Sequence, residues 1–172
     1  MIYLARLYNI NGQTEQTIRL IEEAISIDQQ NDTLYHSLAL AYTGDNQIDQ
    51  AIIKMQKAIE IDKSKDFYYF ELGALLERTG EFERAIKYLK QSIDLNPMHS
   101  NAHNFLGYMY ATHGKSLDKA LGHLNKALSI QPKNGYFLDS LGWIYFKKGE
   151  YEKALSQLKK ALVYTSPDPV LY

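Results

Sequence analysis

The feature that most constrains this chain is a recurrence of small and aromatic residues about every 34 positions. Leu38-Ala39-x-x-Tyr42, Leu72-Gly73-x-x-Leu76, Leu106-Gly107-x-x-Tyr110 and Leu141-Gly142-x-x-Tyr145 align with one another. A second small series follows at Ala51, Ala85, Ala120 and Ala154, and a third at Ala58, Ser92, Ala127 and Ala161. Pro97, Pro132 and Pro167 come next, and glycine returns at 12, 80, 114 and 149. A fixed period of this length marks an array of supersecondary units, none of which can bury its apolar face without a neighbour.

Each unit reads as a pair of helices. Phe82, Ala85, Ile86, Leu89 and Ile93 keep helical spacing, as do Leu117, Ala120, Leu121, Leu124 and Leu128. Gly80, Gly114 and Gly149 suit the left-handed position that ends a helix. Asp66 and Ser100 are expected N-caps, and Pro97 and Pro132 fall between helices, where a missing amide hydrogen costs little. The Ala and Gly series lets paired helices approach closely.

Composition narrows the function classes. With 45% hydrophobic residues the chain can bury a core. Nineteen basic against 20 acidic residues give a net charge of -1, so there is no electrostatic footprint for nucleic acid or anionic lipid. No apolar run is long enough to span a bilayer, and the first residues show no signal peptide. The absence of cysteine removes disulfides and thiolate chemistry, and is compatible with a reducing or an oxidising compartment. No catalytic constellation stands out, so the chain reads as a non-enzyme with no cofactor and no metal.

On these residues the chain resembles the tetratricopeptide-repeat (TPR) family. That resemblance implies an all-α, right-handed α-solenoid of antiparallel helix pairs, with repeats at 32–65, 66–99, 100–134 and 135–168. The third of these carries one extra residue in its Gly114–Ala120 turn. An earlier repeat at 1–31 lacks its first three residues, and 169–172 begin a further one, so residues 1–172 read as a single array of ten helices cut from a longer protein. Asn104-Phe-Leu-Gly-Tyr108, Leu117-Asp-Lys-Ala120 and Asp139-Ser-Leu-Gly-Trp143 resemble a bacterial subgroup whose members are often attached to the cell envelope. The expected compartment is therefore the cytoplasm or the periplasmic side of a bacterial envelope.

In the family the first helix of each repeat lines a concave groove. The matching positions here include Tyr3, Arg6, Asn9, Thr33, His36 and Leu40. The groove residues singled out for partner binding are Phe70, Glu71, Arg78, Asn101, Asn104, Phe105, Tyr108, Tyr136, Asp139, Trp143, Phe146 and Lys147. Aromatic anchors among short polar groups suit an extended or helical peptide. The alternative for Phe70, Phe105 and Trp143 is packing between adjacent first helices, and for Asn104 and Asp139 an inter-repeat hydrogen bond. The TPR class that grips acidic chaperone C-termini carries Lys and Asn at the places occupied here by His36/Leu40, Phe70/Ala74, Asn104/Tyr108 and Asp139/Trp143, so that ligand is not expected.

Several local motifs are set aside. Gly114-Lys115-Ser116 resembles the end of a phosphate-binding loop but has Met109 where the first glycine belongs. His99 and His103 lack a third ligand at zinc spacing, His113 being a turn candidate. Asn31-Asp32-Thr33 is a glycosylation sequon without a secretory context. Three functions remain: a scaffold holding a partner segment in the groove, an assembly module self-associating through an uncapped C-terminal end, or the targeting part of a larger enzyme.

Overall fold

The computed structural model describes residues 13–113 and 116–165. Among them are nine helices and no strand. They are α1 (Thr14–Ile27), α2 (Asp32–Gly44), α3 (Ile48–Ile61), α4 (Asp66–Arg78), α5 (Phe82–Leu95), α6 (Ser100–Thr112), α7 (Leu117–Ile130), α8 (Gly135–Lys147) and α9 (Tyr151–Thr165). The tenth expected helix, with Tyr3, Arg6 and Asn9, and the expected turn at Gly12 lie outside the described residues, as do Gly114, Lys115 and everything after Thr165. No described helix is long and apolar enough to cross a membrane.

The chain divides into two compact units, Met1–Leu95 and Asn96–Tyr172. In the first, α2 pairs with α3 and α4 with α5, while α1 packs on α2 and α3 on α4. In the second, α6 pairs with α7 and α8 with α9, and α8 also packs on α7 and α6. The small series forms the seams. Ala39, Ala51, Ala58, Ala85, Ala120 and Ala127 are completely buried. A Cβ on Gly107 would stand 2.1 Å from Leu124 Cδ2. Only a residue without a side chain lets α6 and α7 come that close.

The turns follow one rule. The Gln47 amide donates to the Tyr42 carbonyl at 2.9 Å, Glu81 to Leu76 at 2.9 Å and Glu150 to Tyr145 at 2.9 Å, each reaching back five residues. This closes the helix C-terminus around a left-handed residue. Gly80 and Gly149 hold that conformation with φ of 80° and 77°. In the turn with the extra residue, Ser116 N reaches Tyr110 O at 3.2 Å, one residue further back. At the turn after α2 the left-handed residue is Asn46, φ 58°.

The expected caps need correction. Asp66 and Ser100 are the first residues of α4 and α6, and Lys65 and His99 hold the cap positions without side-chain cap hydrogen bonds. Ser100 is buried and its Oγ accepts from Gln131 Nε2 at 2.9 Å, so the hydroxyl is used between helices. Two asparagines cap with side-chain bonds. Asn31 Oδ1 accepts from Leu34 N, and Asn134 Oδ1 from Tyr136 N and Phe137 N. His103 is buried. Its Nε2 donates to Pro97 O at 3.2 Å and its Nδ1 lies 3.1 Å from His123 Nδ1. Burial pushes its pKa down, which favours the neutral form of the ring.

Candidate binding surface

In the first unit Phe70, Glu71 and Arg78 sit on α4, and Glu71 and Arg78 reach α2 and the turn after it. Glu71 Oε2 is 2.6 Å from His36 Nε2. The His36 ring packs edge-on against Phe67 at 5.4 Å and beside Tyr68 at 4.8 Å. Glu71 therefore ties two successive first helices together. Arg78 is exposed and donates to Asn46 Oδ1 at 3.0 Å, across to the turn after α2. Phe70 is half-buried, while Leu40 and Phe67 present apolar surface to solvent.

Beneath them lies a link that the groove positions did not include. The Tyr68 hydroxyl donates to Asp32 Oδ2 at 2.7 Å, and Lys65 Nζ pairs with the same oxygen. The hydrogen bonds from Lys65 and Tyr68 hold the Asp32 carboxyl below the usual carboxylate range. Tyr68 is completely buried. The signal was the spacing: 32 and 66 are equivalent positions in adjacent repeats, so Lys65 and Asp32 fall at one junction.

The second unit gathers more of the predicted set. Tyr108 of α6, Asp139, Ser140, Gly142, Trp143 and Phe146 of α8 and Leu158 of α9 line a cavity of about 460 Å³. Trp143 and Phe146 stack with ring centroids 5.7 Å apart, and Phe146 continues onto Tyr151 of α9 at 5.7 Å. Lys147 Nζ lies 4.8 Å above the indole. Trp143 remains 39% exposed. Phe105 is half-buried, whereas Asn101, Tyr136 and Lys147 are exposed and do not line the cavity.

The polar members differ from one another. Ser140 Oγ donates to the Tyr136 carbonyl at 3.0 Å, satisfied within its own helix. Asn104 Oδ1 is buried with no hydrogen-bond partner among the described residues. Asp139 is exposed, and no hydrogen bond or ion pair to another described residue engages it. Neither makes an inter-repeat hydrogen bond among the described residues. Leu158 and Tyr151 were not among the predicted groove residues, because they belong to a second helix. Leu158 reaches the cavity through the gap that Gly142 leaves: a Cβ there would meet Leu158 Cγ at 2.8 Å.

Among the described residues no group of three or more His, Cys, Asp or Glu side chains converges as for a metal ion. The surface offers aromatic faces, an exposed carboxylate at Asp139 and the ammonium of Lys147.

Comparison with known proteins identifies the repeat. Family profiles described as tetratricopeptide repeat match residues 32–65, 70–135 and 135–166. The crystal structure of MamA superposes with a TM-score of 0.83 at 27% identity, covering 93% of both chains. YrrB, described as a TPR protein with an unusual peptide-binding site, superposes at 0.76 with 24% identity over 95% of this chain and 84% of its own. That level of identity speaks for the fold alone. The Bos taurus BBSome complex member BBS4 is 36% identical over 81 residues, which is 45% of this chain and 15% of that protein.

Proposed function

Because the chain belongs to the tetratricopeptide-repeat family of protein-interaction scaffolds, we propose that it holds a partner segment against the inward faces of its first helices. Residues 1–172 act in this reading as one array. The observation that carries it is the cavity between Tyr108, Trp143, Phe146 and Leu158. Three aromatic rings there, Tyr108, Trp143 and Phe146, are open to solvent. Interface hot spots concentrate in aromatic side chains set in pockets. YrrB, a fold relative, is described as having a peptide-binding site, which agrees with this use of the scaffold.

The test is a peptide selected from a random display library on the intact chain. Phe105→Ala, Tyr108→Ala and Phe146→Ala should each weaken its binding by about 2 kcal/mol, roughly thirtyfold, with helicity near that of the wild type. Equal affinity for all three variants would place the ligand elsewhere on the protein.

A second reading, self-association, rests on a separate observation. Met55, Leu124 and Leu158 occupy equivalent places on second helices. Met55 and Leu124 are buried, but Leu158 is 36% exposed and Leu162 on the same face 70%. The face of α9 that corresponds to the covered faces of α3 and α7 is open among the described residues, and apolar patches of this kind draw partners. The occupant proposed is a second copy of this chain.

A further inference from the structure

We infer that the cavity of the second unit selects a basic side chain, lysine or arginine, from the bound segment. This rests on the reading above that the cavity receives a partner segment, and adds the chemistry of the residue that enters it.

Three observations point the same way. Asp139 stands at the cavity wall with no hydrogen bond or ion pair to another described residue. Its own helix supplies one nearby cation, Lys147, but two helical turns away, about 12 Å along the axis, which is too far for pairing. Lys148 is engaged elsewhere, with Asp118 Oδ1 at 2.7 Å. The carboxylate therefore has no counter-ion among the described residues of the second unit, while a cation entering the cavity would find one.

The walls are suited to the same guest. Trp143 already accepts one ammonium, Lys147 Nζ at 4.8 Å from the ring, so the indole is a working cation-binding surface in this setting. Tyr108 brings a further ring to the cavity. Gly142, Phe146 and Leu158 provide an apolar lining against which the methylene stem of lysine or arginine can lie, with its charged head toward Asp139. An acidic guest would meet Asp139 directly. Lys147 holds its ammonium 4.8 Å from the Trp143 ring and does not line the cavity.

The experiment selects binders from a randomised nonapeptide display library on the intact 172-residue chain, then measures affinities of the winners by anisotropy of a labelled peptide. Enriched sequences should share one lysine or arginine between apolar residues. Replacing it with norleucine, which keeps the stem and removes the charge, should weaken binding about five- to tenfold, the combined worth of one exposed ion pair and one cation–π contact. Asp139→Asn should narrow the gap between the lysine and norleucine peptides to the cation–π share, about two- to fivefold, and flatten the salt dependence. Norleucine or glutamate peptides that bind the wild type as well as lysine would overturn the inference and leave groove binding standing. Absence of any enriched peptide, or winners indifferent to Tyr108→Ala and Phe146→Ala, would remove both.

Discussion

Built onto Gly107, a Cβ would stand 3.1 Å from the Ala120 carbonyl oxygen as well as against Leu124. The backbone there cannot yield as a side-chain tip can. Gly107→Trp or Ala120→Phe should therefore destabilise by about 1–3 kcal/mol or more through overpacking, read as a clear fall in melting temperature. An unchanged melting curve would mean that α6 and α7 do not meet at these residues. Legibility varied at this scale. The small series was plain in the sequence because close packing admits few residue types. Asn46 was less visible: the glycines at 80 and 149 announce left-handed turns, while Asn46 takes the same conformation with a side chain that tolerates it. Adding 34 to 12 would have pointed to position 46. The cap asparagines, Asn31 and Asn134, were obscured for another reason. A sequon and a turn explain an asparagine equally well until its hydrogen bonds are known.

Between elements, the polar links within the first unit matter most. Asp32, Lys65 and Tyr68 join α2 to α4 through one shared carboxylate oxygen. Because the folded-state pKa of Asp32 is depressed, its contribution is present above the unfolded value near 3.9 and is lost as pH falls through the folded value. Asp32→Asn should then lower the melting temperature at neutral pH by about 2–4 °C, for roughly 1 kcal/mol in a chain of this size. The gap to the wild type should stay constant from pH 5 to pH 8 and close in stronger acid. A gap that widens in acid would contradict the assignment. The starts of α4 and α6 were legible to within one residue. Asp66 and Ser100 missed the cap position because single-residue placement depends on which polar group the neighbouring helix claims, and Gln131 claims Ser100.

For the whole molecule, the repeat period was enough to read the fold class, since stacking is the arrangement that buries the faces of such units. The site was legible only as a set of inward positions. Which of them converge depends on side chains from second helices, as Leu158 shows, and the repeat pattern does not say whether Glu71 faces a ligand or His36. Self-association also belongs to this scale. Leu158→Glu with Leu162→Glu should abolish concentration-dependent assembly in analytical ultracentrifugation, with the earlier helix pairs still folded because each repeat contacts mainly its neighbours. A wild-type chain that stays monomeric at high concentration contradicts that reading.

The central claim, that a partner segment lies against the inward aromatic face, is most directly tested through Trp143, the single tryptophan of the chain. Its indole is partly open, at 39% exposure, at the cavity wall. Acrylamide quenching of its emission should be substantial in the free protein and should fall when the selected peptide is bound at saturation. Saturating peptide that leaves the quenching constant unchanged would show that the segment binds away from this face, and would contradict the account.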